Sequence, residues 1–206
     1  MRHRSIAHAA RIAALAVPFW VLPVLLPGFQ GRAATAQAAQ QVDVSAASRG
    51  GQVTVTASAD LQADPATAWA VITDYDHLAS FIPYMHSSKV VQRDGDRLLV
   101  DQAGELSLLF FRQPIEVRLE VLEMPERSVD AHAVGGNLRA MQGRYLIEPL
   151  PSGELRLSYS GGLTPAFQLP PLVGNVVVRM VLARQFQALV AEIVRRDALA
   201  RRAPPK

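Results

Sequence analysis

Cysteine is absent from all 206 residues, which excludes disulfide scaffolds, thiol catalysis, cysteine-ligated zinc and iron–sulfur centres together. Charge is scarce at 19% while hydrophobic residues reach 50%, so disorder is excluded as an overall description. A basic surface is missing as well, despite a formal charge of +3. Residues 1–38 hold four of the 21 basic residues and no acid, leaving 17 basic against 18 acidic residues in the remainder. That near-neutral balance removes the electrostatic footprint of nucleic-acid binding, and no such partner is expected. What remains is long enough to bury a sizeable core without staples.

The first forty residues read as an address. Arg2, Arg4 and Arg11 precede an apolar run of 18 residues from Ile12 to Phe29, and an alanine-rich stretch follows. A charged start, a greasy middle and a small-residue end are the parts of a secretory signal. Ala36-Gln37-Ala38 fits the small-x-small cleavage pattern, which sets a signal peptide over 1–38, with Ala34-Thr35-Ala36 as second choice. An uncleaved anchor is the alternative, although Pro18, Pro23 and Pro27 interrupt the run. Either way the folded part is expected to be exported, to the periplasm if the host has two membranes.

Beyond it, 39–50 is polar and small and reads as a linker, 51–198 as the folded domain, and 199–206 as a basic tail. Val53, Val55 and Ala57 alternate with Thr54, Thr56 and Ser58, the period of a half-buried strand. Asp64-Pro65 supplies an N-cap and a first-turn proline for a helix whose inward residues are Ala68, Trp69 and Ile72. Asp74 and Asp76 can cap a second short helix that runs through Phe81 and stops at Pro83. From Lys89 the period changes to two, and tight turns at Asp94-Gly95, Pro125-Glu126, Gly135-Gly136-Asn137 and Ser152-Gly153 separate the segments. Gly161-Gly162 reads as the end of the sheet. The count is seven strands, hence a curved antiparallel sheet.

A long helix closes the chain, starting at Pro170-Pro171 and running to about Arg196. Its projection places Val176, Met180, Leu182, Ala183, Phe186, Leu189, Val190, Ile193 and Val194 on one stripe, with Arg184, Glu192 and Arg195 opposite. Arg179 falls inside the apolar stripe, where an unpaired guanidinium is costly; a carboxylate, a carbonyl or a ligand head group meeting it, or snorkelling past the rim, would each account for it. The whole predicts an α+β domain: about seven strands wrapped on a long C-terminal helix, two short helices closing one end.

The run Asp64-Pro65-Ala66-Thr67-Ala68-Trp69, continuing to Asp74-Tyr75, then Phe81-Ile82-Pro83 and Ser88-Lys89-Val90-Val91, resembles the START-like (helix-grip, SRPBCC) superfamily, in particular its polyketide cyclase/dehydrase and coenzyme Q-binding branch. The resemblance spans roughly 51–198. It implies an apolar cavity between sheet and helix, which relatives use for lipids, quinones, hormones or polyketides. An export signal departs from the mitochondrial quinone-binding type.

Catalytic patterns are weak. No nucleophile elbow, zinc helix or phosphate loop occurs, and three histidines remain after the signal, His77, His86 and His132. Asp74, His77 and Glu105 could be assembled into an acid–base site, but helix capping and solvation account for Asp74 and His77 as well. No catalytic residue, metal or cofactor is assigned. The candidate ligand-binding residues are Trp69, Phe81, Tyr145, Tyr159, Arg179, Met180 and Ala183. Leu106 to Phe111 and Ala166 to Val173 are apolar runs that suit a cavity rim in transient membrane contact. The expected function is binding of a hydrophobic small molecule, lipid or quinone-like; a cyclase/dehydratase-like enzyme using the same cavity is the alternative.

Overall fold

Alternation of Val, Leu and Ala with polar residues over most of the chain commits it to strands with one wet face, and short turns commit those strands to hairpins. The computed structural model describes residues 42–108, 111–167 and 174–202. In it eight strands form one antiparallel sheet: β1 (Val42–Arg49), β2 (Gln52–Leu61), β3 (Met85–Asp94), β4 (Arg97–Leu108), β5 (Phe111–Met124), β6 (Ser128–Gly136), β7 (Leu138–Pro149) and β8 (Leu155–Pro165). Their spatial order is β1-β2-β8-β7-β6-β5-β4-β3. Every consecutive pair is a hairpin except β2 and β3. Helix α1 (Pro65–Ile72) and a 3-10 helix (Tyr75–Ser80) make that single crossover. The second helix, α2 (Gly174–Arg202), packs against β1, β2, β4 and α1.

Concave-face positions fill the core by the period of two. Val53, Val55, Ala57, Ala59 and Leu61 are buried on β2, with Leu155 and Leu157 on β8 and Val117, Leu119 and Val121 on β5. Val177, Val178, Val181, Phe186, Leu189, Val190 and Ile193 are buried from α2. Ion pairs on the convex face, such as Arg156–Asp60 and Arg118–Asp101, join neighbouring strands.

Four expectations are corrected. Residues 42–49 are no linker: Val42, Val44 and Ala46 turn inward on β1 and pair antiparallel with β2, which makes eight strands instead of seven. Their side chains are small, so the alternation is faint in the sequence. The sheet does not end at Gly161-Gly162, since β8 continues to Pro165. On α2 the buried stripe is turned relative to the projection. Val176 is 58% exposed while Val177, Val178 and Val181 are buried, and Glu192 is buried rather than opposite. A helical projection fixes the relative angles of residues but not which side meets the sheet. The helix also reaches Arg202, past the expected end near Arg196 and into the expected tail. The signal segment, Pro170-Pro171 and the final residues 203–206 lie outside the described residues.

The closed end is held by charged groups. Asp64 caps α1 by accepting from the Ala66 amide at 2.7 Å, and its own amide donates to buried Asp197 on α2 at 2.9 Å. Asp74 occupies the cap position of the 3-10 helix but makes no side-chain cap bond. It accepts instead from His77 Nδ1 at 2.6 Å and from Arg196 at 2.8 Å. Arg196 also lies over the Phe81 ring, 5.5 Å from its centroid. Asp76 accepts from the Val90 amide, joining the 3-10 helix to β3.

Candidate functional site: a two-chambered apolar cavity

Two cross-strand rows on the concave face leave a space that α2 does not fill. One row runs Ala57, Tyr159, Tyr145, Val129 across β2, β8, β7 and β6; the next runs Val55, Gly161, Gly143, Ala131. Tyr159 leans over the glycine row. A Cβ at Gly161 would lie 2.5 Å from its hydroxyl, and one at Gly143 would lie 2.7 Å from it. The two glycines are therefore where the ring fits. Tyr145 and Tyr159 stack at 4.9 Å with a 46° tilt.

Above this floor is a cavity of about 170 Å³, roofed by Leu182, Gln185, Phe186 and Leu189 of α2 and closed by Tyr75 and Ile82. Among the described residues no charged side chain lines it. Its polar groups are three phenols, Tyr75, Tyr145 and Tyr159, and two carboxamides, Gln102 and Gln185. Burial pushes all three phenols up in pKa, for Tyr75 with the nearby Glu123 carboxylate adding to it, so each stays protonated. A second chamber of about 140 Å³ lies toward the β4–β5 hairpin, lined among others by Tyr84, Glu105, Leu106, Phe167 and Val181. Met85, Gln102, Met141, Leu182 and Gln185 line both chambers and form the waist between them.

Of the seven residues singled out in the sequence, Tyr145 and Tyr159 stand on the cavity wall. Trp69 and Phe81 are half-buried against the main core, outside the lining of either chamber, and Ala68 and Val71 take the fully buried places on α1. Met180 and Ala183 are half-buried on α2 and line neither chamber. Arg179 is exposed, because the stripe turns it to the side away from Val178. Sequence reasoning missed Gln102, Gln185, Gly143 and Gly161. Gln185 had a signal, one turn before Leu189 and next to Phe186 on the stripe. The glycines had none, since nothing short of the strand register places them beneath Tyr159.

The acid–base candidates do not converge on the cavity. His77 is 72% exposed and bonded to Asp74 at the closed end. Burial works against ionisation of Asp74, but hydrogen bonds from His77 and Arg196 outweigh it and hold its carboxyl below the usual range. Glu105 borders the second chamber and faces His86 at 3.8 Å and Arg112 at 3.5 Å instead of His77. His132 stands on the convex face beside Glu120. Among the described residues no three side chains are grouped to hold a metal ion, and no helix is long and apolar enough to cross a membrane.

A bent antiparallel sheet gripping a long C-terminal helix around an apolar cavity is the helix-grip architecture of START-like proteins. A model of the family "polyketide cyclase / dehydrase and lipid transport" matches residues 61–190, and the chain belongs to that family. The fold is similar to that of a STAR-related lipid transfer protein from Xanthomonas axonopodis, with TM-score 0.62, 13% identity, and 74% of this chain and 93% of that one covered. It is similar to the Zhui aromatase/cyclase from Streptomyces sp. R1128, with TM-score 0.60, 13% identity and coverage of 74% and 97%. A START superfamily protein from Mycobacterium smegmatis gives TM-score 0.59 at 14% identity, covering 69% and 97%. Such low identities establish the fold alone. No curated protein sequence matches the chain.

Proposed function

We propose that this domain is exported, holds a lipid or quinone-like small molecule in the cavity between sheet and α2, and carries or shields it without transforming it. The observation that carries this reading is the lining of the first chamber: apolar side chains, neutral phenols and carboxamides, and no charged group. A lining of that kind removes apolar surface from water and offers a few orienting hydrogen bonds, as ligand sites do. It offers no group whose pKa lies near neutrality for proton transfer. The similar structures, a lipid transfer protein and an aromatase/cyclase, mark the two readings; a lining without carboxylate or imidazole among the described residues favours binding over acid–base chemistry.

Transient membrane contact belongs to the same proposal. β2 begins, β8 ends and β7 begins at one end of the sheet, where Val53 pairs with Leu163 and Leu138 with Pro165. Arg49, Arg139 and Arg179 are exposed at this end, with no ion pair among the described residues, and Val176 is exposed beside them. Leu106 and Phe167, from the two apolar runs, line the second chamber here with Leu138 and Leu163; residues 109, 110 and 168–173 of those runs lie outside the described residues.

Native mass spectrometry of the protein purified from its own host tests the reading. The expected result is a co-purifying hydrophobic molecule that is lost when Leu182→Trp fills the waist. A wild-type protein that carries none, and takes up none from a lipid extract, overturns it.

A further inference from the structure

The waist between the chambers is where the cavity becomes selective. Of the five residues that line both chambers, Met85, Met141 and Leu182 are apolar and Gln102 and Gln185 are not. Gln185 is oriented by its surroundings. Its amide nitrogen donates to the Pro83 carbonyl at 3.1 Å. A carbonyl only accepts, so the atom facing it is the NH2 group and Oε1 points the other way. No protein donor meets Oε1 among the hydrogen bonds of the described residues. Gln102 donates to Ser88 Oγ at 3.3 Å, a hydroxyl that could donate equally well, so its orientation is not fixed in this way.

We infer that Gln185 determines the specificity of the cavity, and that its ligand is a neutral, two-lobed hydrophobic molecule with a hydrogen-bond donor, a hydroxyl or an amide N–H, between its lobes. This rests on the reading that the cavity holds a hydrophobic small molecule, and it narrows that reading. A quinone presents acceptors only, whereas a quinol, a phenol or an alcohol presents a donor that matches Gln185 Oε1. A buried carboxylate or phosphate would meet no counter-charge in the first chamber, and burying an unpaired charge is prohibitive. Among the described residues the only carboxylate lining the second chamber, Glu105, already faces Arg112 and His86.

Three ring-sized probes separate the donor from size and hydrophobicity: naphthalene, 2-naphthol and 2-methoxynaphthalene. An apolar cavity with no anchor favours the more hydrophobic naphthalene and methoxynaphthalene over the naphthol. The expected order places 2-naphthol ahead of both by about threefold to tenfold, the effect of one neutral hydrogen bond. Gln185→Met keeps the length of the side chain and should erase that preference while retaining naphthalene binding. Equal binding of the three probes by wild type overturns the role of Gln185 and leaves the cavity reading standing. So does a preference that survives Gln185→Met. Failure of all three probes to bind wild type overturns the cavity reading itself. The wild-type comparison needs no substitution, so it decides even if Gln185→Met does not fold.

Discussion

Tyr145 and Tyr159 are direct cross-strand partners, and their rings meet at 4.9 Å over a floor made by a second cross-strand pair, Gly143 and Gly161. The two pairs work together: the glycines are empty so that the tyrosine can lean, and the leaning ring shapes one wall of the cavity. Adding a methyl group at Gly161 forces Tyr159 to move or the strands to part, because the new carbon would also lie 2.8 Å from the Gln142 carbonyl oxygen. Gly161→Ala should cost about 1–3 kcal/mol, the usual range for overpacking. Thermal melting gives the cost, and naphthalene uptake should fall in parallel. An unchanged melting temperature would mean that the ring has another place to go.

Tyr75 carries the opposite kind of information. Its residue is 6% exposed, and its buried hydroxyl and the buried Glu123 Oε1 make no well-formed hydrogen bond, although the carboxylate is near enough to push the phenol up. Removing an unsatisfied hydroxyl relieves a desolvation penalty. Tyr75→Phe should therefore hold stability or raise it by about 1 kcal/mol in urea unfolding. A clear loss would show that the phenol donates to Glu123.

Glu192 sets a pH dependence. The hydrogen bond from Arg195, opposed by burial and reinforced by Arg196, holds its carboxyl down at about 2, against an ordinary value of 4.5. A lowered folded-state pKa contributes stability that is complete above the unfolded value and is lost as pH falls toward the folded one. The loss should run from about pH 5 to pH 2 and amount to roughly 2 kcal/mol, discounted because Arg195 is largely in solvent. Melting temperatures across this window should fall more steeply for wild type than for Glu192→Gln. Parallel curves would count against a contribution from this cluster.

The amino terminus is open to a direct check. If the apolar run is a cleaved signal, the exported protein begins at Ala39. Sequencing the mature end decides it, and a chain that retains Met1 in the membrane fraction is anchored instead.

The exposed arginines predict a dependence on lipid charge. Arg139→Glu combined with Arg179→Glu should weaken binding to vesicles containing phosphatidylglycerol, by about 1 kcal/mol for each charge removed. Binding to neutral phosphatidylcholine vesicles should change little. Co-sedimentation distinguishes the two, and an unaltered response to both lipids would remove this end of the sheet as the contact.

Local pattern alone determined the strands from β2 to β8, the capped start of α1 and the presence of a long final helix. Each is announced by a period or a cap that depends on neighbours within a few residues, as with Val53-Thr54-Val55-Thr56 or Asp64-Pro65. It also singled out Tyr145 and Tyr159, because large aromatic residues in the inward phase of neighbouring strands reach the same space. Tertiary structure decided the rest. β1 exists because β2 offers it an edge, since Val42, Val44 and Ala46 are too small to announce a strand by themselves. Arg179 faces water because the sheet meets α2 at an angle that no helical projection contains. Glu192 is buried because two arginines from the next turn accompany it. The cavity itself is an absence, made where Gly143 and Gly161 come into register beside the Tyr145–Tyr159 pair, and strand register is a relation between segments that are distant in the chain.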